Sequence, residues 1–272
     1  MERKYAEYLL KKTQEDYNLV AEDYTRTRAF IPEDIKDLAR YTLSGERVLD
    51  SGCASGRLYG VLKDYNPPAP LPSAFGGRAP KKVDPVRGQR DLVEAQRKQT
   101  SNGVDYFGID FSEKLIEIAR KKYPEAKFQV ADCLNLPFPA NFFDKIYSIS
   151  VLHNIPSREF RLRYFKEAKR VLKPGGLLIL RVWDFWRRKA FPKLFFKYTF
   201  LKLIGKSKVD FFDVFVPWKD SKGKILIERY FHCFRKKELE NLVKEVGFKI
   251  KKIWRAGKNP RTNIYLIAKK PL

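Results

Sequence analysis

The sequence predicts a doubly wound α/β fold, a mostly parallel sheet with helices on both faces, and three observations predict it. Short apolar runs ending in acidic or polar residues alternate with stretches of helical periodicity. A glycine-rich turn joins the first such run to the helix after it. The last two runs are separated by a connection too short for a crossover, which makes them an antiparallel hairpin.

The first element is Arg47-Val-Leu-Asp50, a buried-strand pattern that enters the turn Ser51-Gly-Cys-Ala-Ser-Gly56 and then the helical Leu58-Tyr-Gly-Val-Leu62. Residues 66–103 follow, rich in proline and glycine, and this composition reads as a flexible basic insertion. Tyr106-Phe-Gly-Ile-Asp110 is the second strand, with Ser112 placed to cap a helix through Leu115, Ile118 and Ala119. Lys127-Phe-Gln-Val-Ala131 and Phe143 to Ser150 are the third and fourth strands, delivering Asp132 and the segment Val151-Leu-His-Asn154 at their carboxyl ends. A helix over 158–172 stops at Lys173-Pro-Gly-Gly176, and the apolar Leu177-Leu-Ile-Leu180 is the fifth strand. After a helix closed by Gly247, residues 248–254 and 263–268 form the hairpin across the turn 255–262.

With 272 residues, 44% of them hydrophobic, the chain has material for one substantial core, so 1–272 reads as a single domain with elaborations at 66–103 and 185–234. No apolar run reaches the ~18 residues of a membrane span, and the charged start lacks a signal-peptide segment, so a cytoplasmic location is expected. Cys53, Cys133 and Cys233 have no metal-ligand spacing, so no metal site is expected. Lysine and arginine number 56 against 32 acids, a formal charge of +24 that favours polyanions, nucleic acid first and an anionic membrane surface second.

In order along the chain, VLDSGCASG, YFGIDFS, VADCLNLPF, FDKIYSISVLHNI and RVLKPGGLLIL resemble the class I S-adenosylmethionine-dependent methyltransferases. That resemblance implies a Rossmann-like, seven-stranded, mostly parallel sheet with an antiparallel terminal hairpin and S-adenosyl-L-methionine as cofactor. It also implies where the cofactor sits. The turn Gly52, Ala54 and Gly56 approaches it; Asp50 meets its amino acid end, directly or through water; Asp110, with Phe111 beside it, grips the ribose hydroxyls; Asp132 and Cys133 hold the adenine; Ser150 closes the site. Three acids at three strand ends suit a cationic sulfonium better than a pyrophosphate. Deleting 66–103 brings Asp50 and Asp110 back to the roughly 20-residue spacing usual between turn and ribose acid.

Within that class the closer resemblance is to the tRNA wobble-uridine carboxyl methyltransferases of eukaryotes and archaea. It is carried by Asp23-Tyr-Thr-Arg-Thr-Arg28, Ser150-Val-Leu-His153, Asp213-Val-Phe-Val-Pro-Trp218 and Arg229-Tyr-Phe-His-Cys-Phe234; where that family usually has two consecutive histidines, this chain has His153 and Asn154. The resemblance implies methylation of the carboxylate of wobble 5-carboxymethyluridine, with Arg28, His153, Arg229 and His232 as candidates to hold carboxylate and uracil. It further implies tRNA as partner and a small zinc-binding activator subunit docking on edge strand 127–130. The segment 185–209 carries eight Lys/Arg and no acid among many aromatics, a mixture that stacks on bases and neutralises phosphates, or on a helix lies on an anionic membrane. Two alternatives remain from sequence: a small-molecule methyltransferase for a quinone, lipid or biotin precursor, and a non-catalytic RNA-binding protein on the same fold.

Overall fold

The computed structural model describes residues 1–65, 103–189, 191–257 and 262–272. The insertion read at 66–103 therefore lies outside the described residues except for Gly103, whose carbonyl accepts from the Gly45 N–H. Among the described residues no helix is long and apolar enough to cross a membrane.

Seven strands form one sheet: β1 Arg47–Ser51, β2 Asp105–Asp110, β3 Lys127–Val130, β4 Phe143–Ile149, β5 Leu172–Trp183, β8 Lys249–Ala256 and β9 Asn263–Lys269, in the order β3-β2-β1-β4-β5-β9-β8. Pairing is parallel from β3 to β5, and β9 runs antiparallel to both of its neighbours. The order reverses between β1 and β4, so a crevice opens at their carboxyl ends.

Alternation along the strands sorts side chains to two faces. Leu49, Ile146, Leu178, Leu180, Ile264 and Leu266 pack in one core with α6 (Arg158–Val171) and α8 (Lys236–Glu245). Val48, Tyr106, Tyr147, Ile179 and Tyr265 pack in the other with α3 (Glu33–Ala39), α4 (Arg57–Leu62) and α5 (Glu113–Lys122). The Ser112 hydroxyl caps α5 by accepting from the Leu115 N–H at 3.2 Å.

The fifth strand departs from expectation. Sequence reading starts it after Lys173-Pro-Gly-Gly176, yet β5 already pairs at Leu172 and resumes at Leu177 across a register shift. The intervening residues bulge because Gly175 adopts φ 80°, and Lys173 is tied down by Asp144 at 2.8 Å.

The elaboration at 185–234 forms a second layer: α7 (Phe191–Leu203) and an antiparallel pair, β6 (Asp213–Lys219) and β7 (Ile225–His232), in which Val216 faces Arg229. The two downstream sequence motifs are thus partner strands. The first helices, α1 (Arg3–Leu19) and α2 (Ala21–Thr27), join this layer to the main sheet. Lys12 donates to the Glu228 carbonyl of β7, while Gln14 donates to the Phe111 carbonyl beyond β2.

Candidate active site

Two adjoining cavities lie at the carboxyl ends of the strands and share Tyr17, Tyr24, Ile149 and Ser150. The inner one is lined by Gly52 and Ala54 after β1, Asp110 and Phe111 after β2, Asp132 and Cys133 after β3, and Ser150 after β4. Seven of the nine residues expected at the cofactor therefore meet in one place.

The glycine turn is built by steric necessity. Gly52 has φ 84°, and a Cβ there would stand 2.1 Å from Val151 Cγ2. Gly56 (φ 78°) opens α4 below the turn, where a Cβ would press on Phe128 and Tyr123, so it shapes the loop without lining the cavity. Ala54 is held left-handed at φ 47°, and its N–H donates to Asp110 Oδ2 at 2.9 Å. Asp110 Oδ1 accepts from the Ser112 N–H at 3.0 Å, so each oxygen has one backbone donor and keeps a lone pair for a hydroxyl. Burial pushes the Asp110 carboxyl up to about 6 despite those donors.

Asp50 is 2% exposed and does not line the cavity; its carboxylate accepts from the Tyr106 hydroxyl at 2.9 Å. Burial, with Asp110 nearby, raises it to about 7. Of the two modes expected for Asp50, direct or through water, its place beneath the turn, aimed by its strand at Tyr106, fits the indirect one. Asp132 Oδ1 instead accepts from the Leu134 N–H at 2.8 Å, rigidifying the loop after β3. Burial holds the Cys133 thiol protonated.

The outer cavity, about 440 Å³, is lined by Arg28, Arg57, His153, Arg181, Arg188 and Arg229 among aromatic walls. Three of the four expected catalytic candidates are there. Arg28 lies over Tyr24 and Trp218, 4.9 and 4.8 Å from the ring centroids. Arg229, 6% exposed, lies 4.7 Å from Trp218 and 5.0 Å from Phe231. His153 is 1% exposed, and its Nδ1 accepts from the Trp183 N–H at 3.3 Å, which leaves Nε2 to carry the proton. Burial, then Arg188, Arg181 and Arg229, hold its pKa well below the usual value, so it is a neutral donor.

His232 is the exception. It is 3% exposed, with Nδ1 2.6 Å from Asp213 and Nε2 2.7 Å from Glu238, and it lines neither cavity. Both nitrogens are spent joining β6, β7 and α8, so the expectation that it touches substrate is corrected to a structural tie.

Sequence reading missed Tyr17, Arg57 and Arg181. Tyr17 offers no local signal, since only docking of α1 brings it over the crevice; burial raises its hydroxyl to about 12. Arg57 directly follows the glycine turn and Arg181 ends β5, positions that the strand-end rule could have flagged. Arg181 pairs with Asp34 at 2.8 Å and donates to Ser150 Oγ at 3.0 Å. Asn154, standing where a second histidine was expected, donates to the Ser150 carbonyl at 3.1 Å and so braces the loop after β4.

Against known proteins, a family model described as a methyltransferase domain matches residues 92–180. The protein named probable tRNA methyltransferase 9B of Mus musculus is 44% identical over 85 residues, 31% of this chain and 19% of that protein. A tRNA (carboxymethyluridine(34)-5-O)-methyltransferase of Schizosaccharomyces pombe is 29% identical over 168 residues, 55% of this chain and 67% of that one. The match thus spans about a fifth of the length of the first relative. In fold, the chain is similar to a methyltransferase solved in complex with the Trm112 methyltransferase activator of Haloferax volcanii, with a TM-score of 0.57 at 12% identity, covering 96% of this chain and 98% of that one.

Proposed function

The chain belongs to the class I S-adenosylmethionine-dependent methyltransferases, related to the tRNA carboxymethyluridine methyltransferases, and from that premise we propose that it esterifies the carboxylate of a wobble 5-carboxymethyluridine in tRNA. The observation that carries the proposal is the juxtaposition of the two cavities. A ribose-gripping acid and glycine turn adjoin a cationic, aromatic chamber through Ser150, Tyr17 and Tyr24.

Bound S-adenosylmethionine supplies an electrophilic methyl group: the bond from carboxylate oxygen to carbon forms as the sulfur–carbon bond breaks. A carboxylate is already anionic at neutral pH, so this chain's residues need only orient it and exclude water, with no general base. The neutral Nε2–H of His153 suits that task, since a donor without charge fixes an oxygen while blunting its nucleophilicity little, and the Arg229 guanidinium draws the anion in. Tyr24 and Trp183 give the cavity aromatic surface against which a uracil ring can pack. A lining of arginines also favours an acid over a quinone, which weighs against the quinone form of the small-molecule alternative.

The net charge of +24 and the acid-free, lysine-rich α7 support contact with the tRNA body. Among the described residues, strand β3 pairs with β2 alone and leaves its outer edge open, with Val130 37% exposed. That edge is the proposed dock for a small activator like the one bound to the Haloferax neighbour.

The test is transfer of labelled methyl to tRNA bearing 5-carboxymethyluridine and to the unmodified tRNA, with and without such an activator. Label on the first alone, released by mild alkali as an ester is, is the expected result. Label on neither, with cofactor binding intact in both preparations, would overturn it.

A further inference from the structure

The outer cavity holds more positive charge than one carboxylate balances. Arg28, Arg57 and Arg229 all line it, and the partners seen among the described residues are neutral. Arg28 donates to Thr27 Oγ1 at 3.0 Å and lies over two rings. Arg57 donates to the Phe30 carbonyl at 3.2 Å, and its buried Nε meets no partner among the described residues. The buried Nε of Arg229 is likewise unpartnered there, and that guanidinium lies over three rings. Of the acids within electrostatic reach, Asp34 has its Oδ2 engaged by Arg181 at 2.8 Å, Asp23 is hydrogen-bonded to Arg26 and Asp16 to Lys12.

These cations are close enough to repel one another. Arg28 and Arg229 both lie within 5 Å of the centroid of the same Trp218 ring. Burial first, and then neighbouring guanidiniums, Arg28 among them, push Arg57 and Arg229 below the usual arginine value. A bound anion relieves such repulsion directly.

The charge is also graded in depth. His153 and Arg229 are 1% and 6% exposed at the inner end beside Ser150, whereas Arg28 is half-buried at the mouth, near Phe30, which is 78% exposed. We propose that the cavity takes two anions of one ligand at once: a carboxylate at the inner end, held by His153 and Arg229, and a nucleotide phosphate at the rim, held by Arg28 and Arg57. Guanidinium forks suit phosphate oxygens, and the two arginines come from different elements, the end of α2 and the start of α4, as a clamp does. The carboxylate half rests on the reading above; the phosphate half rests on the excess of charge.

The test is calorimetric titration of the full chain, with S-adenosylhomocysteine present, by uridine, uridine 3′-monophosphate, uridine 5′-monophosphate and inorganic phosphate. At least one monophosphate is expected to bind tenfold or more tighter than uridine. That gain shrinks as salt rises, is lost in Arg57→Gln and is partly kept in Arg57→Lys, which also decides the matter if the glutamine variant melts early. Monophosphates no tighter than uridine, a gain that survives Arg57→Gln, or inorganic phosphate binding as tightly as the nucleotides would overturn the proposal. Methyl transfer to tRNA without the phosphate gain would sink this site and spare the carboxyl methyltransferase reading; the gain without methyl transfer would do the reverse.

Discussion

The indole nitrogen of Trp218 donates a 2.7 Å hydrogen bond to the carboxylate of Asp23, a residue 195 positions earlier in the chain. Through it β6 holds α2, and the Trp218 ring stacks on Tyr24 and carries Arg28 at the cavity mouth. A hydrogen bond to a charged group contributes about 1.5–3 kcal/mol. If tRNA is the substrate as proposed, Trp218→Phe is therefore expected to raise its KM by roughly tenfold, converting ~1.4 kcal/mol of lost positioning. Steady-state kinetics check this, alongside cofactor titration; a loss confined to cofactor affinity would show that the contact serves the inner cavity instead.

Asp110 should control cofactor affinity and its pH dependence. Its carboxyl is raised to about 6, so below that pH the free protein holds a proton that a two-hydroxyl grip must displace. Affinity for S-adenosylhomocysteine is predicted to be flat above pH 7 and to weaken by up to about tenfold per unit below pH 6. Asp110→Ala is expected to lose at least about 100-fold at pH 7.5 as hydrogen bonds to a charged group go, with tRNA affinity kept. Titrations at pH 5.5, 6.5 and 7.5 decide it, and equal loss of tRNA binding would mark Asp110 as structural.

Asp50 gives a stability prediction whose sign is opposite to that of an ion-paired acid. Its folded value of about 7 lies above the unfolded value of about 3.9. Between the two the folded protein keeps a proton that the unfolded chain has lost, so stability falls as pH rises through this window and levels off above it. Asparagine cannot ionise and still accepts from Tyr106. Asp50→Asn should thus raise the melting temperature of the cofactor-free protein by at least about 2 °C more at pH 8 than at pH 5, taking ~1–2 kcal/mol at 2–4 °C each. An equal shift at both pH values would count against a buried, protonatable Asp50.

Gly52 carries two costs that can be separated. Gly52→Ala meets Val151 Cγ2 and forces alanine to φ 84°, and about 2–4 kcal/mol of destabilisation is expected from overpacking plus strain. Adding Val151→Ala should recover the clash and leave the strain, returning roughly half of the loss in denaturant melts. No recovery would mean that backbone strain alone dominates.

His153 should act without titrating. Since burial and three arginines keep it neutral, the pH–rate profile between pH 6 and 9 is expected to lack an inflection that His153→Gln removes. His153→Ala should lower kcat about tenfold to 100-fold, the range for one lost donor to a reacting oxygen.

The strands and the acids at their carboxyl ends were legible because each is a local pattern. An apolar run ending in Asp110 or Asp132 states its own direction, and Gly52 announces a turn where no side chain fits. The start of β5 was misread because its bulge depends on Asp144 and Lys270, residues far from Pro174 in sequence. His232 was misassigned for a related reason: its motif is recognisable, but the carboxylates that occupy both nitrogens arrive from β6 and α8.

By itself, then, the sequence determined the α/β alternation, the glycine turn with its acids, and the strong positive charge, since periodicity, backbone sterics and charge are properties of neighbouring residues or of composition. Only the tertiary structure decided that five arginines from five elements converge on one chamber, that Tyr17 and Tyr24 line both cavities, and that Asp50 lies beneath the glycine turn, bonded to Tyr106. Burial and proximity set those outcomes, and both arise from packing between segments that the chain order keeps apart.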